Sequence, residues 1–252
     1  MPNNGGNPMQ LGAVLAMALC LAGGPPAQQV PAKPATTPTL EEVLNKYEAA
    51  VGGKAAWEKL TSRHATGSFE VPEAGAAGTI VVFAKAPGKS GFLIDMPQFG
   101  TVRQGVTETG GWNQSTQSGM RDLSGDELAA AQKAADFHGP IHYRKNYTNL
   151  AVKGAAQVEA AAAWLVEGER APGKTMRFYF DAQSGLLLRT NFEVDTPAGP
   201  SMVDVYVSDY REVDGVMTPF TIRRVTPQFS TIIKYKDVKH NVPVDDARFA
   251  KP

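Results

Sequence analysis

A side-chain period of two runs through the second half of the chain and constrains its fold more than any other feature. Met176, Phe178 and Phe180 alternate with Arg177, Tyr179 and Asp181. Leu186, Leu188, Phe192 and Val194 alternate with Leu187, Arg189, Asn191, Glu193 and Asp195, with Thr190 the one polar residue on the apolar side. Val203, Val205 and Val207 alternate with Asp204, Tyr206 and Ser208. Successive side chains of a strand point to opposite faces, so each run describes a strand with one dry and one wet face, as in an antiparallel sheet exposed on one side. Ser184-Gly185, Pro197-Ala198-Gly199-Pro200 and Asp214-Gly215 punctuate the runs as turns. Short strands at this spacing predict a meander that curls into a barrel or half-barrel. The expected fold class is mainly β (α+β), a curved antiparallel sheet capped by two or three helices.

The helical signals are few. Leu40, Val43, Leu44 and Tyr47 have helical spacing, and Thr39 with Glu42 three residues on makes a capping box. Gly52 and Gly53 stop that helix, and Ala55 to Leu60 reads as a second short one. Ser124 to Ala135 has the same start signal, Ser124 followed by Glu127, with Leu128, Ala131 and Ala135 on one face. Ala155 to Ala163 is helical by propensity, but Trp164, Leu165 and Val166 before Gly168 favour a strand entering a turn.

The amino end reads as export machinery. Leu11 to Ala22 is an unbroken apolar run of twelve residues, too short for a membrane-spanning helix of about twenty. Small residues follow, so residues 1–27 are expected to be a secretory signal, although Met1 to Gln10 lacks the usual cationic lead. Cys20, the only cysteine, excludes a disulfide; lipidation there is disfavoured because Leu19 precedes it. Residues 28–39 form a Pro-rich linker, and a single domain is expected over 40–252. The expected location is the periplasm, with outer-membrane association if Cys20 is lipidated.

Motifs that would carry chemistry fail on context. Gly168 to Thr175 satisfies the GxxxxGK[ST] phosphate-loop pattern, but a strand rather than a helix follows Lys174, so a hairpin turn is expected and no nucleotide. His138 and His142 have a ligand spacing broken by Gly139-Pro140, and read as surface loop residues without a metal. No serine occupies a GxSxG elbow, and Asp245-Asp246 reads as a turn or cap. Lysine plus arginine (25) balances aspartate plus glutamate (25), which argues against nucleic acid. A monomer with no catalytic residue, cofactor or metal is expected.

Large apolar residues remain: Phe83, Phe92, Met96, Phe99, Trp112, Phe178, Phe180, Phe192, Phe220 and Ile222, with Arg224 on the parity of the last two. They are either a core packed by the helices or the wall of a cavity. Val43-Leu44-Asn45-Lys46-Tyr47 with Gly52-Gly53, Gly110-Gly111-Trp112, and Tyr179-Phe180-Asp181 with Ser184-Gly185-Leu186-Leu187 resemble the outer-membrane lipoprotein-sorting proteins. So do Asp209 to Val216, Pro219-Phe220 and the closing Asn241 to Phe249. This resemblance to LolA/LolB-like periplasmic carriers implies an incomplete barrel closed on one side by helices. It also implies an activity of holding lipid or lipoprotein acyl chains without chemistry. In carriers of this kind an interior arginine helps hold the closed state; Arg224 is either that or a solvated rim residue. The alternative function is an envelope sensing or protein-docking module with the same fold, and an enzyme ranks third.

Overall fold

Thirteen antiparallel strands form one sheet in the computed structural model, which describes residues 36–196 and 199–252. In chain order they are β1 (Ser62–Val71), β2 (Ala76–Lys85), β3 (Lys89–Met96), β4 (Gly100–Thr107), β5 (Gly110–Ser115) and β6 (Gly119–Asp122). After a helical interruption come β7 (Thr148–Val158), β8 (Ala161–Ala171), β9 (Lys174–Asp181), β10 (Leu187–Thr196), β11 (Gly199–Val213), β12 (Val216–Val225) and β13 (Ser230–His240). The spatial order is β6-β5-β4-β3-β2-β1-β13-β12-β11-β10-β9-β8-β7. Two meanders are thus joined where the first strand pairs with the last. β6 and β7, neighbours in sequence, are the two unpaired edges, and the barrel stays open between them.

Helices α1 (Leu40–Ala50) and α2 (Lys54–Trp57) precede the sheet, and α3 (Gly125–Ala134) and α4 (Tyr143–Asn146) lie on the chain linking the two edges. The Thr39 box forms as expected: Thr39 Oγ1 accepts from the Glu42 amide at 3.2 Å, and the Glu42 carboxylate accepts from the Thr39 amide at 2.7 Å. Val43, Leu44 and Tyr47 of α1 are buried against Val166, Met176, Phe178 and Phe180 of β8 and β9. Gly52 (φ 106°) ends the helix and lets the backbone of Gly215 and Val216 come within reach of its Cα, where any side chain would collide. Met217 donates its amide to Val51 at 3.1 Å across that contact.

Several local expectations are corrected. Ser124 stands at the start of α3 but makes no side-chain cap bond, and the Glu127 carboxylate that would complete a box forms a two-pronged pair with Arg121 of β6 at 2.7 Å instead. Ala155 to Ala163 is strand and hairpin turn throughout, as the strand reading expected, with each of its strand residues paired across β7 and β8. The strand expected to turn at Gly168 runs on to Ala171, and the GxxxxGK[ST] segment is the β8–β9 hairpin, with Glu169 opposite Thr175 and Ala171 opposite Lys174. A register shift between Leu187 and Arg189 sets Leu187 opposite Phe180, so it joins the apolar face expected for Leu188. Asp245 does cap a 3-10 turn, accepting from the Ala247 amide at 3.0 Å. The apolar run of residues 1–27 with Cys20, and most of the linker, lie outside the described residues.

Candidate functional site

Strand register decides which face each large residue occupies. Phe83 sits opposite Gly91, Gly91 opposite Gly105, and Gly105 opposite Trp112, so these four form one row across β2 to β5. Ala84, the next residue along β2, belongs to the core under α1 and α2. The Phe83 row therefore lies on the outer face. There the Phe83 ring meets Phe249 at 5.5 Å, and Trp112 Nε1 donates to the Phe249 carbonyl at 2.9 Å. Gly91 and Gly105 leave the slot into which the carboxyl-terminal segment fits. Phe83 and Trp112 are thus fastenings for the tail on the outer face, and belong neither to the core packed by the helices nor to the wall of an inner cavity.

Elsewhere on the outer face, polar side chains pair with one another. Arg189 lies between Tyr179 and Tyr206, with 4.9 and 5.4 Å to the ring centres, and its Nε donates to Asp204 at 2.7 Å. Arg223 stacks on Tyr206 at 4.1 Å and pairs with Glu159 of the β7–β8 turn at 2.8 Å.

The inner face has two parts. Under the helices it is filled: Phe178 and Phe180 are each 1% exposed, packed by Tyr47 and Tyr143 with ring centres 5.0 to 5.6 Å apart. Phe220 is buried in a small cluster with Ala65 and Val238. Beyond the helices, Phe92, Met96, Val82, Val102 and Ile233 are only partly buried, packed on Phe69, Ile80 and Ile94. No helical residue belongs to that cluster. Ile222 continues it opposite Ile233, and half-buried Val205 lies beyond on β11, while Phe192 of β10 packs against the core under the helices. Phe99, exposed at the β3–β4 turn, lines a small recess beside Met96 at one end of the strip.

Arg224 stands opposite Thr231 and Val205 on this inner face. It is half-buried, burial lowers its pKa, and it makes no hydrogen bond or ion pair among the described residues. It lines a cavity of about 650 Å³ bounded by α3 and by Arg121, Arg170 and Val194. Arg170, missed in the sequence, lies 5.6 Å from the centre of the Phe192 ring. It follows a turn-like Gly-Glu pair, and nothing in the local sequence points it inward.

A second cavity, about 330 Å³, lies between the helices and the sheet. Its helical wall is locked by a polar network missed in the sequence. Asp136 accepts from Asn146 Nδ2 at 2.7 Å, pairs with His142 Nδ1 at 2.8 Å and accepts from the His138 amide at 3.2 Å. Burial raises the Asp136 pKa, but these bonds outweigh it and hold the carboxyl below its ordinary value. His138 Nε2 sits 3.1 Å from the Leu60 carbonyl, so both loop histidines are structural fastenings rather than free surface residues. Lys133 donates to the carbonyls of Asn146 and Arg170 at 2.6 Å each, tying α3 to α4 and to the β8–β9 hairpin. Among the described residues no group of His, Cys, Asp and Glu is placed to hold a metal ion.

No protein-family model and no curated protein sequence matches the chain. Solved structures do. A DUF1329 family protein from Desulfovibrio piger is 14% identical, with a TM-score of 0.56 over 83% of this chain and 96% of its own. An outer membrane lipoprotein-sorting protein domain from Vibrio parahaemolyticus is 12% identical, with a TM-score of 0.56 over 82% and 94%. A LolA superfamily protein from Nitrosomonas europaea is 12% identical, with a TM-score of 0.55 over 85% and 98%. At such identities the likeness is one of fold. The fold is the LolA-type half-barrel that the sequence resemblance implied.

Proposed function

We propose that the protein is a non-catalytic periplasmic binder that carries lipid or lipoprotein acyl chains along the inner face of its half-barrel. The observation that carries this reading is the uncovered apolar strip from Met96 and Phe92 through Ile233 to Ile222. A strip that runs past the helices and stays half-exposed has room for a chain. Each methylene laid on it contributes about 0.8 kcal/mol without any catalytic group. Arg224 lines the adjoining cavity with Asp126, Glu127 and Asp195 and, having no hydrogen-bond or ionic partner among the described residues, supplies a positive charge for an anionic head.

Native mass spectrometry of the protein incubated with phospholipid vesicles and with a triacylated lipopeptide tests the reading. Wild type and Phe83→Leu are expected to carry bound lipid, because Phe83 is on the outer face. Ile222→Asp is expected to lose it, while retaining the wild-type circular dichroism. Wild-type protein that stays free of lipid under both conditions refutes the carrier reading and leaves the docking module in its place.

A further inference from the structure

We propose that the carboxyl-terminal segment, residues 241–252, is a releasable strap. Seated on the outer face, it holds the edge strand β6, and through β6 the helix α3, beside the open seam; released, it frees that corner of the half-barrel and exposes the inner face. The proposal concerns the outer face and the seam, and it does not depend on the acyl-carrier reading.

The strap starts from a fixed root. Asn241 donates its amide to the Ser62 carbonyl at 3.0 Å, its Oδ1 accepts from the Thr61 amide at 2.8 Å, and its Nδ2 donates to the Lys59 carbonyl at 3.2 Å. The Ser62 hydroxyl donates to the Val242 carbonyl at 2.6 Å. From there the chain belongs to no strand and crosses the whole first meander. Asp246 sits between Lys85 of β2 and Lys89 of β3, at 2.8 and 2.9 Å. Phe249 then drops beside Phe83 of β2, over Gly105 of β4, and Trp112 of β5 holds its carbonyl. Lys251 finishes on Asp122 of β6 at 2.8 Å. One short segment thus touches every strand from β1 to the edge.

Past its root the strap is built to let go. Phe249 is its one buried residue, and the ion pairs at Asp246 and Lys251 lie at the surface. Exposed pairs of this kind are weak and are screened by salt. The far end is where release has its effect. β6 is four residues long, exposed throughout and paired only with β5, and a short strand with one neighbour belongs to the low-stability part of a fold. Its two charged side chains are both fastened: Asp122 by Lys251, and Arg121 by the two-pronged pair with Glu127 of α3. Leu123, the next residue, packs with Val106 of β4 and with Leu128, Ala131 and Ala135, the small core that seats α3. The grip of the strap therefore passes through β6 to the helix beside the opening.

Hydrogen exchange of the full chain, read by mass spectrometry, tests this in wild type, Phe249→Ala and Lys251→Glu. Lys251→Glu is expected to speed amide exchange about five-fold across residues 119–134, which cover β6 and α3, and to leave β9 and β12 at the wild-type rate. Phe249→Ala is expected to do the same more strongly; if it lowers the stability of the whole chain, Lys251→Glu carries the test. Adding Asp122→Lys to Lys251→Glu remakes the pair with its charges exchanged and is expected to restore protection. Maleimide labelling of Ile222→Cys, on the inner face, is expected to be faster when Lys251→Glu is present. Exchange across 119–134 that stays at the wild-type rate in Lys251→Glu, or that rises there no more than in β9 and β12, overturns the proposal. So does an exchanged pair that recovers nothing, or labelling of Ile222→Cys that ignores the strap.

Discussion

His240 illustrates how much a single buried residue sets. Its side chain is 0% exposed, its Nδ1 lies 3.2 Å from Asp214, and its pKa is lowered first by burial, then by Arg63, against the pull of Asp214. A folded-state pKa below the ordinary value means that the unfolded chain takes up the proton first as pH falls. Stability is therefore full above about pH 6.5 and is lost as the solution is acidified below it. The urea midpoint is expected to drop between pH 7 and pH 5, and His240→Gln to flatten that drop; an unchanged slope in the variant would show that the loss comes from elsewhere. Gly105 sets the outer face in a similar way. A Cβ there would stand 2.5 Å from both the Phe249 carbonyl and Trp112 Nε1, so Gly105→Ala is expected to cost about 1–3 kcal/mol in chemical denaturation by unseating the tail. Neither role was legible in the sequence. Gly105 reads as a strand glycine and His240 as a lone polar residue until register places Trp112 and Arg63 beside them.

At the scale of elements, two identical start signals behave differently. Thr39 with Glu42 and Ser124 with Glu127 have the same spacing, yet only the first forms a box. Glu127 is drawn off by Arg121, a strand residue whose position depends on β6 pairing with β5, and no local pattern contains that. Thr39→Ala is expected to lower stability by about 1 kcal/mol in thermal or urea melts, and Ser124→Ala by no more than a few tenths. Equal effects would mean that Ser124 caps α3 in solution. Strands were the most legible elements because a period of two survives any tertiary context. It failed only at the Leu187–Arg189 irregularity, where one extra residue exchanges the faces. The alanine-rich β7–β8 hairpin shows the converse: pairing to a neighbour outweighs helical propensity.

At the scale of the whole molecule, the half-barrel follows from one connection. The β1–β13 pairing joins two meanders, and the chain between β6 and β7 lays α3 and α4 across the opening rather than letting the edges meet. One end of the inner face is thereby filled around Phe178 and Phe180, and the other is left as a half-exposed strip. The sequence listed both sets of phenylalanines but could not divide them, because burial by a helix and burial by a ligand demand the same side chains. The central claim is that acyl chains lie along that strip, and paramagnetic NMR with a phospholipid carrying a nitroxide on its acyl chain tests it most directly. Loss of signal is predicted at Phe92, Val205, Ile222 and Ile233, with Phe83 and Trp112 unaffected. Broadening confined to the outer face, or absent from both faces at saturating lipid, would contradict it.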